Sequence, residues 1–237
     1  MIFHSFEATT SSLEITRAVE MTPDYRLAQN DKAASADPYR NGGKRVFDLA
    51  ICLIVLPFAL PMIGFLAALI ALTGSRPFYT QHRIGKHGRI FKMWKLRSMI
   101  RDSEGVLERH LASDPIAKME WRRAQKLRHD PRITIFGSFL RRSSLDELPQ
   151  LWNVLRGEMS LVGPRPMMIS QEPLYPGRDY YDLLPGMSGN WQVSARNDAH
   201  FADRAVFDAN YHVALSLGED LRILLKTVAV VLRANGH

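Results

Sequence analysis

Two adjacent carboxylates, Asp146 and Glu147, stand just ahead of an apolar run in the stretch from Ser143 to Pro166, SSLDELPQLWNVLRGEMSLVGPRP. Side-by-side acids in front of apolar residues are costly unless something positive lies against them, and a divalent metal bridging to a substrate phosphate is one such partner. Farther along the same stretch, Arg165 is framed by Pro164 and Pro166. That framing makes it a rigid fork for phosphate oxygens, which a guanidinium can meet with two parallel hydrogen bonds. The combination points to phosphate chemistry.

The same residues also satisfy a purely structural pattern. Ser144-x-x-Glu147 reads as a capping box, in which the serine and glutamate side chains satisfy each other's exposed backbone donors. If Asp146 is the cap instead, Pro149 falls at the third helical position, where no intrahelical bond is lost. The two readings are compatible, because a helix start favours anions and would keep Asp146 ionised beside a phosphate. From Leu145 onward, Leu148, Leu151, Trp152 and Leu155 recur at helical spacing, which predicts an amphipathic helix closed by Arg156-Gly157.

Other elements must bring counter-charge to this pair. Residues 78–99, FYTQHRIGKHGRIFKMWKLRSM, alternate about Gly85-Lys86-His87-Gly88 and predict a short hairpin. Its Arg83, Lys86, Arg89, Lys92, Lys95 and Arg97 form either a solvated face or a surface for anionic lipid head groups or a diphosphate, with Lys95 and Arg97 nearest the chemistry. Residues 184–197, LPGMSGNWQVSARN, read as a Gly- and Pro-rich loop carrying Trp191, Gln192 and Arg196. Such a loop serves either as a structural turn or as a set of contacts to a ligand. Residues 102–128 predict two polar helices broken near Asp114-Pro115, and Asp220 to Leu232 predicts an apolar helix docked on the body.

The chain has 237 residues, a formal net charge of +7 and a single cysteine, Cys52, so neither an intrachain disulfide nor a cysteine metal cluster is possible. Residues 1–43 hold four Lys/Arg against six Asp/Glu, leaving 27 against 18 in the remainder, so the basicity belongs to the body. The first 43 residues are polar and lack the apolar core of a secretory signal, and they are expected to form a poorly ordered extension. A basic body implies either nucleic acid or an anionic membrane as partner. No nucleic-acid reading motif accompanies the charge.

The membrane reading is carried by Leu49 to Leu72, twenty-four residues without a charge. As straight helix they would reach about 36 Å, enough to cross the hydrocarbon layer. Pro57 and Pro61 interrupt this run, and basic residues flank both ends: Lys44 and Arg45 before it, Arg76, Arg83, Lys86 and Arg89 after it. Positive flanks are retained in the cytoplasm, so a kinked, re-entrant helix that dips into one leaflet and returns fits better than a crossing. Asp48, just before the run, is expected either to pair with Lys44 or Arg45 or to remain solvated.

Taken in order, KRVFD, QHRIG, FKMWKLRSM, DPRIT, SLDELPQLWNVL, SLVGPRP and PGMSGNWQVSAR resemble the bacterial sugar transferases, and most closely the small phosphoglycosyl transferases that prime exopolysaccharide synthesis. The resemblance covers residues 44–237, with Leu96 and Ser98 where many relatives carry Phe and Thr, and Ala195 in place of a frequent Gly. It implies an α-rich α+β monotopic membrane protein: extension 1–43, re-entrant helix 44–75 and catalytic domain 76–237, with interfacial amphipathic helices and a small β-hairpin. The implied activity is transfer of a sugar 1-phosphate, galactose first and glucose second, from a UDP-sugar to undecaprenyl phosphate with release of UMP. Implied with it are Mg²⁺, a covalent intermediate on Asp146, Glu147 as metal-positioning acid, Arg165 as phosphate ligand, and the cytoplasmic face of a bacterial inner membrane with its anionic lipids. Two other classes stand beside this one: a conventional glycosyltransferase releasing UDP, and a membrane-bound scaffold or nucleic-acid module.

Overall fold

A computed structural model describes residues 37–124, 127, 129–194 and 201–232. The fold is helix-rich, with two small two-stranded sheets. Its longest element is α1, Lys44–Leu72, a 29-residue helix that continues through both Pro57 and Pro61. At 1.5 Å per residue it reaches about 43 Å. It stops at Thr73, followed by Gly74 at φ 74°.

The first turns of α1 are moored to the body by three charged side chains. Lys44 donates to the buried Asp220 at 2.6 Å, and the same carboxylate accepts from the hydroxyls of Tyr39 and Tyr211, each at 2.6 Å. Arg45 reaches the carbonyls of Val154 and Leu155, at 2.5 and 2.9 Å, where a cation complements a helix C-terminus. Asp48 is neither solvated nor the partner that Lys44 takes: it is buried and accepts the Leu161 N–H at 3.0 Å. Tyr39 and Arg40, which the charge pattern assigns to the extension, are tied down as well, Arg40 by bonds to the carbonyls of His212 and Val213.

Farther along, both halves of α1 pack on the same body. Cys52 and Ala59 join a core with Phe91, Met93, Leu151, Val154 and Ile223, while Leu66 and Ile70 pack with Leu96 and Leu140. The other flank of the helix stays bare. Leu53, Ile54, Leu60, Phe65 and Leu72 are exposed, and Phe58 is 78% exposed. An apolar face of that extent is not left to water by a folded protein.

The hairpin forms as expected. Strand β1 (Phe78–Ile84) pairs antiparallel with β2 (Ile90–Leu96), and the turn closes with Gly85 N–H donating to the Arg89 carbonyl at 2.7 Å. Two short helices follow, α2 (Ser103–Ser113) and α3 (Pro115–Ala124), broken at Asp114, whose carboxylate caps the second by accepting from Ile116 and Ala117. Then come α4 (Ile135–Arg142), capped by Thr134 accepting from Gly137 N–H at 2.9 Å, a single tight turn at Leu145–Glu147, and α5 (Gln150–Arg156). Gly157, at φ 77°, ends α5.

Neither capping pattern is realised in the Ser144–Pro149 segment. Ser144 makes no side-chain cap, the acidic pair lies in the tight turn, and Pro149 stands just before α5 rather than inside it. Ser144 instead adopts a left-handed conformation, φ 56° and ψ 17°, which sets off the turn from α4. For a non-glycine residue this conformation is uncommon and persists only where the surroundings enforce it.

The remainder holds elements with no clear mark in the hydropathy pattern. Strand β3 (Ser160–Val162) pairs in parallel with β4 (Gly186–Ser188), so residues 184–197 are not simply a loop; α6 (Asn190–Ser194) follows directly. Helices α7 (Arg204–Ala214) and α8 (Leu217–Leu232) complete the described residues.

Asn153, fully buried on α5, joins α5 to β2. Its Oδ1 accepts from Trp94 N–H at 3.0 Å, and its Nδ2 donates to the Lys92 carbonyl at 2.8 Å and to Glu158 at 2.6 Å. One amide thus stands in for a neighbouring strand. Asn153→Ala should lower unfolding stability in detergent solution by about 3 kcal/mol, since it orphans buried backbone groups on β2 as well as removing bonds. An unchanged denaturation midpoint would remove this amide as the link between the two elements.

Candidate active site

The tight turn Leu145–Glu147 places Asp146 inward, 6% exposed, and leaves the Glu147 side chain 26% exposed. Strand β2, fixed to α5 by Asn153, carries Lys95 to this pair. Its Nζ lies 2.7 Å from Glu147 Oε1 and 4.0 Å from Asp146 Oδ2. Burial pushes the Asp146 carboxyl above the usual carboxylate range; Lys95 pulls it back, Glu147 pushes it further up, and Arg141 lowers it. Arg141, near the end of α4, is held by its Nε donating to Ser98 Oγ at 2.9 Å.

Arg165 reaches the same place from the opposite end of the motif. The turn Gly163-Pro164-Arg165-Pro166 packs backbone to backbone on the start of β4: Gly163 N–H donates to Ser188, and Gly186 N–H donates to Pro164, each at 2.8 Å. A Cβ on Gly163 would lie 2.3 Å from the Leu184 carbonyl oxygen, and one on Gly186 2.1 Å from Gly163 N, so only glycine permits this approach. The prolines are buried and Arg165 is exposed between them. A polar pocket results, lined by Lys95, Glu147, Gln150, Arg165 and Gln192 and also by Arg83 of β1.

The other residues singled out by pattern are placed differently. Arg97 turns away from the dyad, donating from Nε to the Arg76 carbonyl at 2.9 Å and lying over the Tyr79 ring. Trp191 meets Phe207 edge to face at 5.3 Å between centroids and does not line the pocket, whereas Gln192, its neighbour on α6, does. Arg196 lies outside the described residues. Pro57 and Pro61 stay within α1. Sequence reasoning passed over Arg141, Arg83 as a pocket residue, and Asn153; the first two were readable only as members of basic clusters.

A second concavity lies directly behind the dyad. It is an apolar groove of about 310 Å³ between α1 and the body, lined by Leu60, Ile63, Phe78, Trp94, Leu148 and Trp152. The polar pocket and the apolar groove therefore share one short segment, Glu147 to Pro149.

Metal capacity can be judged from the donor set. Among the described residues no group of three or more His, Cys, Asp or Glu side chains stands together. Mg²⁺ does not need one, because it binds through one or two carboxylates and completes its shell with substrate phosphates and water. Asp146 and Glu147, beside a pocket that also presents cations, fit an ion shared with a phosphorylated ligand.

Comparison with known proteins agrees with this constellation. Over residues 39–234 the chain matches the family described as "Bacterial sugar transferase". It is 49% identical over 195 residues to a UDP-galactose-lipid carrier transferase of Erwinia amylovora and 46% identical over 195 residues to an undecaprenyl-phosphate galactose phosphotransferase of Salmonella typhimurium. These alignments cover 81% of this chain but 41% of either relative, so the chain spans about two fifths of their length. It is also 40% identical over 209 residues to the exopolysaccharide production protein ExoY of Rhizobium meliloti, covering 87% of this chain and 92% of that protein. With its acidic dyad, proline-framed arginine and apolar helix all inside the matched region, the chain belongs to the bacterial sugar transferase family.

Proposed function

We propose that this protein transfers a sugar 1-phosphate from a UDP-sugar to undecaprenyl phosphate, releasing UMP, as the first membrane step of exopolysaccharide synthesis. The observation that carries this reading is the meeting of a carboxylate dyad, a pocket with several cations and an apolar groove at one turn beside the middle of the long apolar helix. The cations of the pocket complement the phosphates of a diphosphate donor, and the groove suits an isoprenoid chain. The names of the Erwinia and Salmonella relatives favour galactose as the sugar.

The chemistry follows from the dyad. An ionised Asp146 needs no general base: one of its oxygens attacks the sugar-bearing phosphorus, the bond to the bridging oxygen breaks, and UMP departs with that oxygen. The enzyme then carries an aspartyl phosphosugar, a mixed anhydride. An oxygen of the lipid phosphate attacks the same phosphorus, the Asp146 carboxylate leaves, and a polyprenyl diphosphate sugar forms with the anomeric bond untouched. Lys95, Arg141 and Arg165 offset the repulsion between anionic nucleophile and anionic donor. Mg²⁺ held by Glu147 and Asp146 would supply further neutralisation of the diphosphate oxygens. Donor phosphates entering the pocket would draw Lys95 from Glu147, freeing that carboxylate for the metal.

The same reading gives α1 a re-entrant course from the cytoplasmic face. Packing of both halves of the helix on one body supports keeping both ends on one side, with the bare face of Phe58 and Phe65 turned to a single leaflet. The outward Ile135 and Phe139 of α4 and Ile116 and Met119 of α3 would rest on the same surface.

Incubating membranes with polyprenyl phosphate and a panel of UDP-sugars tests the reaction: UMP and a lipid diphosphate sugar are expected, whereas UDP and a lipid monophosphate sugar would identify a conventional glycosyltransferase. Asp146→Asn should abolish turnover, by about 10⁴-fold or more, and yield no phosphosugar adduct by mass spectrometry. Because burial raises the Asp146 pKa, activity should fall on acidification at a pH above that of an ordinary carboxylate. The sign for stability is opposite: the folded state holds this proton more tightly, so burying the ionised group costs stability as pH rises through the raised value. Asp146→Asn should therefore melt no earlier than the parent at neutral pH, and an earlier melt would contradict the assigned burial cost. Topology is open to a separate check. In a Cys52→Ala background, Val46→Cys and Arg76→Cys should react with a membrane-impermeant thiol reagent from the same side, and labelling from opposite sides would establish a crossing instead.

A further inference from the structure

Arg83 and Arg204 converge on the proline-framed turn from below. Arg204, 4% exposed, donates to the carbonyl of Arg165, and Arg83 donates from Nη1 to the carbonyl of Pro166 at 3.0 Å. Two guanidiniums thus hold successive carbonyls of one turn, directly beneath a third. Arg83 is further aligned by Nη2 donating to Gln81 Oε1 at 2.6 Å. The Nε atoms of both Arg83 and Arg204 are buried without a hydrogen-bond partner.

Local acids do not balance this charge. Asp208 acts on Arg204 but already accepts from Tyr175 at 2.8 Å, and Arg83 is ion-paired to no acid among the described residues. Burial and the Arg165 charge together push the Arg83 guanidinium down to about 10 and lower Arg204 as well. Three mutually repelling cations, two of them with an orphaned donor and two of them, Arg83 and Arg165, lining the pocket that also holds Glu147 and Lys95, call for a polyanion.

Resting on the transfer reaction proposed above, we infer that Arg83 and Arg165 form one phosphate subsite used twice: first by the phosphate that leaves as UMP, then by the phosphate of the lipid acceptor, with Arg204 as the buried positioning residue. In-line displacement requires this economy. Asp146 attacks the transferred phosphorus from one side and UMP departs from the other; the acceptor must expel Asp146 by entering where UMP left. Among the described residues the pocket offers one set of cations, Arg83, Lys95 and Arg165, for both events.

The experiment uses the full-length protein in detergent micelles with UDP-galactose and polyprenyl phosphate. On the unsubstituted protein, UMP should inhibit competitively against polyprenyl phosphate, whereas uridine, lacking the phosphate, should inhibit at least tenfold more weakly. Arg83→Gln should weaken UMP inhibition about tenfold without changing that by uridine, and should lower kcat/KM for donor and acceptor by similar factors. Arg83→Lys, which keeps the charge but not the fork, should recover part of both losses. Non-competitive UMP inhibition of the unsubstituted protein would overturn the shared subsite, as would a loss in Arg83→Gln confined to one substrate. An unchanged UMP-to-uridine ratio accompanied by earlier melting would reduce Arg83 to a structural brace and likewise overturn it. If the unsubstituted protein turns over no UDP-sugar, the transfer reading itself fails; equal affinity for UMP and uridine, read as thermal stabilisation, would then overturn the phosphate subsite independently.

Discussion

A carboxylate held away from water beside a second carboxylate is the condition on which the rest of this structure depends. Asp146 gains nothing in stability from its place: desolvation and Glu147 both push it toward the neutral form. What keeps it usable is the arrangement of cations, with Lys95 on one strand and Arg141 at the end of a helix, neither adjacent in sequence. Each is fixed by a polar contact that looks structural in isolation. Asn153 sets the strand that bears Lys95, and Ser98 aligns the guanidinium of Arg141. The left-handed Ser144 completes the arrangement by letting the acidic turn depart sharply from α4.

A lipid-facing helix imposes a second requirement, because its apolar flank gives no orientation relative to a body that it touches on one face. Orientation comes from polar anchors at its first turns. Asp220 gathers Tyr39, Lys44 and Tyr211 on one buried carboxylate, while Arg45 and Asp48 bond to backbone groups of α5 and β3. Those two elements join the acidic turn to the proline-framed turn of Arg165. The seating of α1 on the body is therefore tied by these few bonds to the segment that follows the acidic turn.

How much of this was legible in the sequence depended on whether a local rule or a distant partner decided the outcome. The hairpin about Gly85–Gly88, the break at Asp114, the closure of α5 at Gly157 and the long apolar helix follow local rules, and the structure contains all four. Capping chemistry at Ser144–Glu147 was also a local inference, but tertiary demands prevailed there: the serine is left-handed and the acids face cations brought from elsewhere. The three-residue strands β3 and β4 are too short to show alternation, and their pairing rests on glycines that admit another backbone. Arg97 illustrates the same limit. Two residues from Lys95 and carrying the same charge, Arg97 follows the end of β2 toward Arg76 instead of the dyad.

The division between polar pocket and apolar groove gives the short segment Glu147–Pro149 a consequence beyond its length. Glu147 lines the pocket with Lys95 and Arg165, and the next two residues, Leu148 and Pro149, line the groove with Trp94 and Trp152. Strand β2 repeats this division, Met93 and Lys95 lining the pocket while Trp94 points into the groove, as side-chain alternation along a strand requires. One turn and one strand thus separate a charged compartment from an apolar one by the thickness of a single backbone layer. A ligand with an anionic head and an isoprenoid tail would find both environments within reach of one another at this boundary. The groove runs along the middle of α1, at Leu56, Leu60 and Ile63, so in the proposed reaction binding of such a ligand and its alignment with Asp146 become one geometric event.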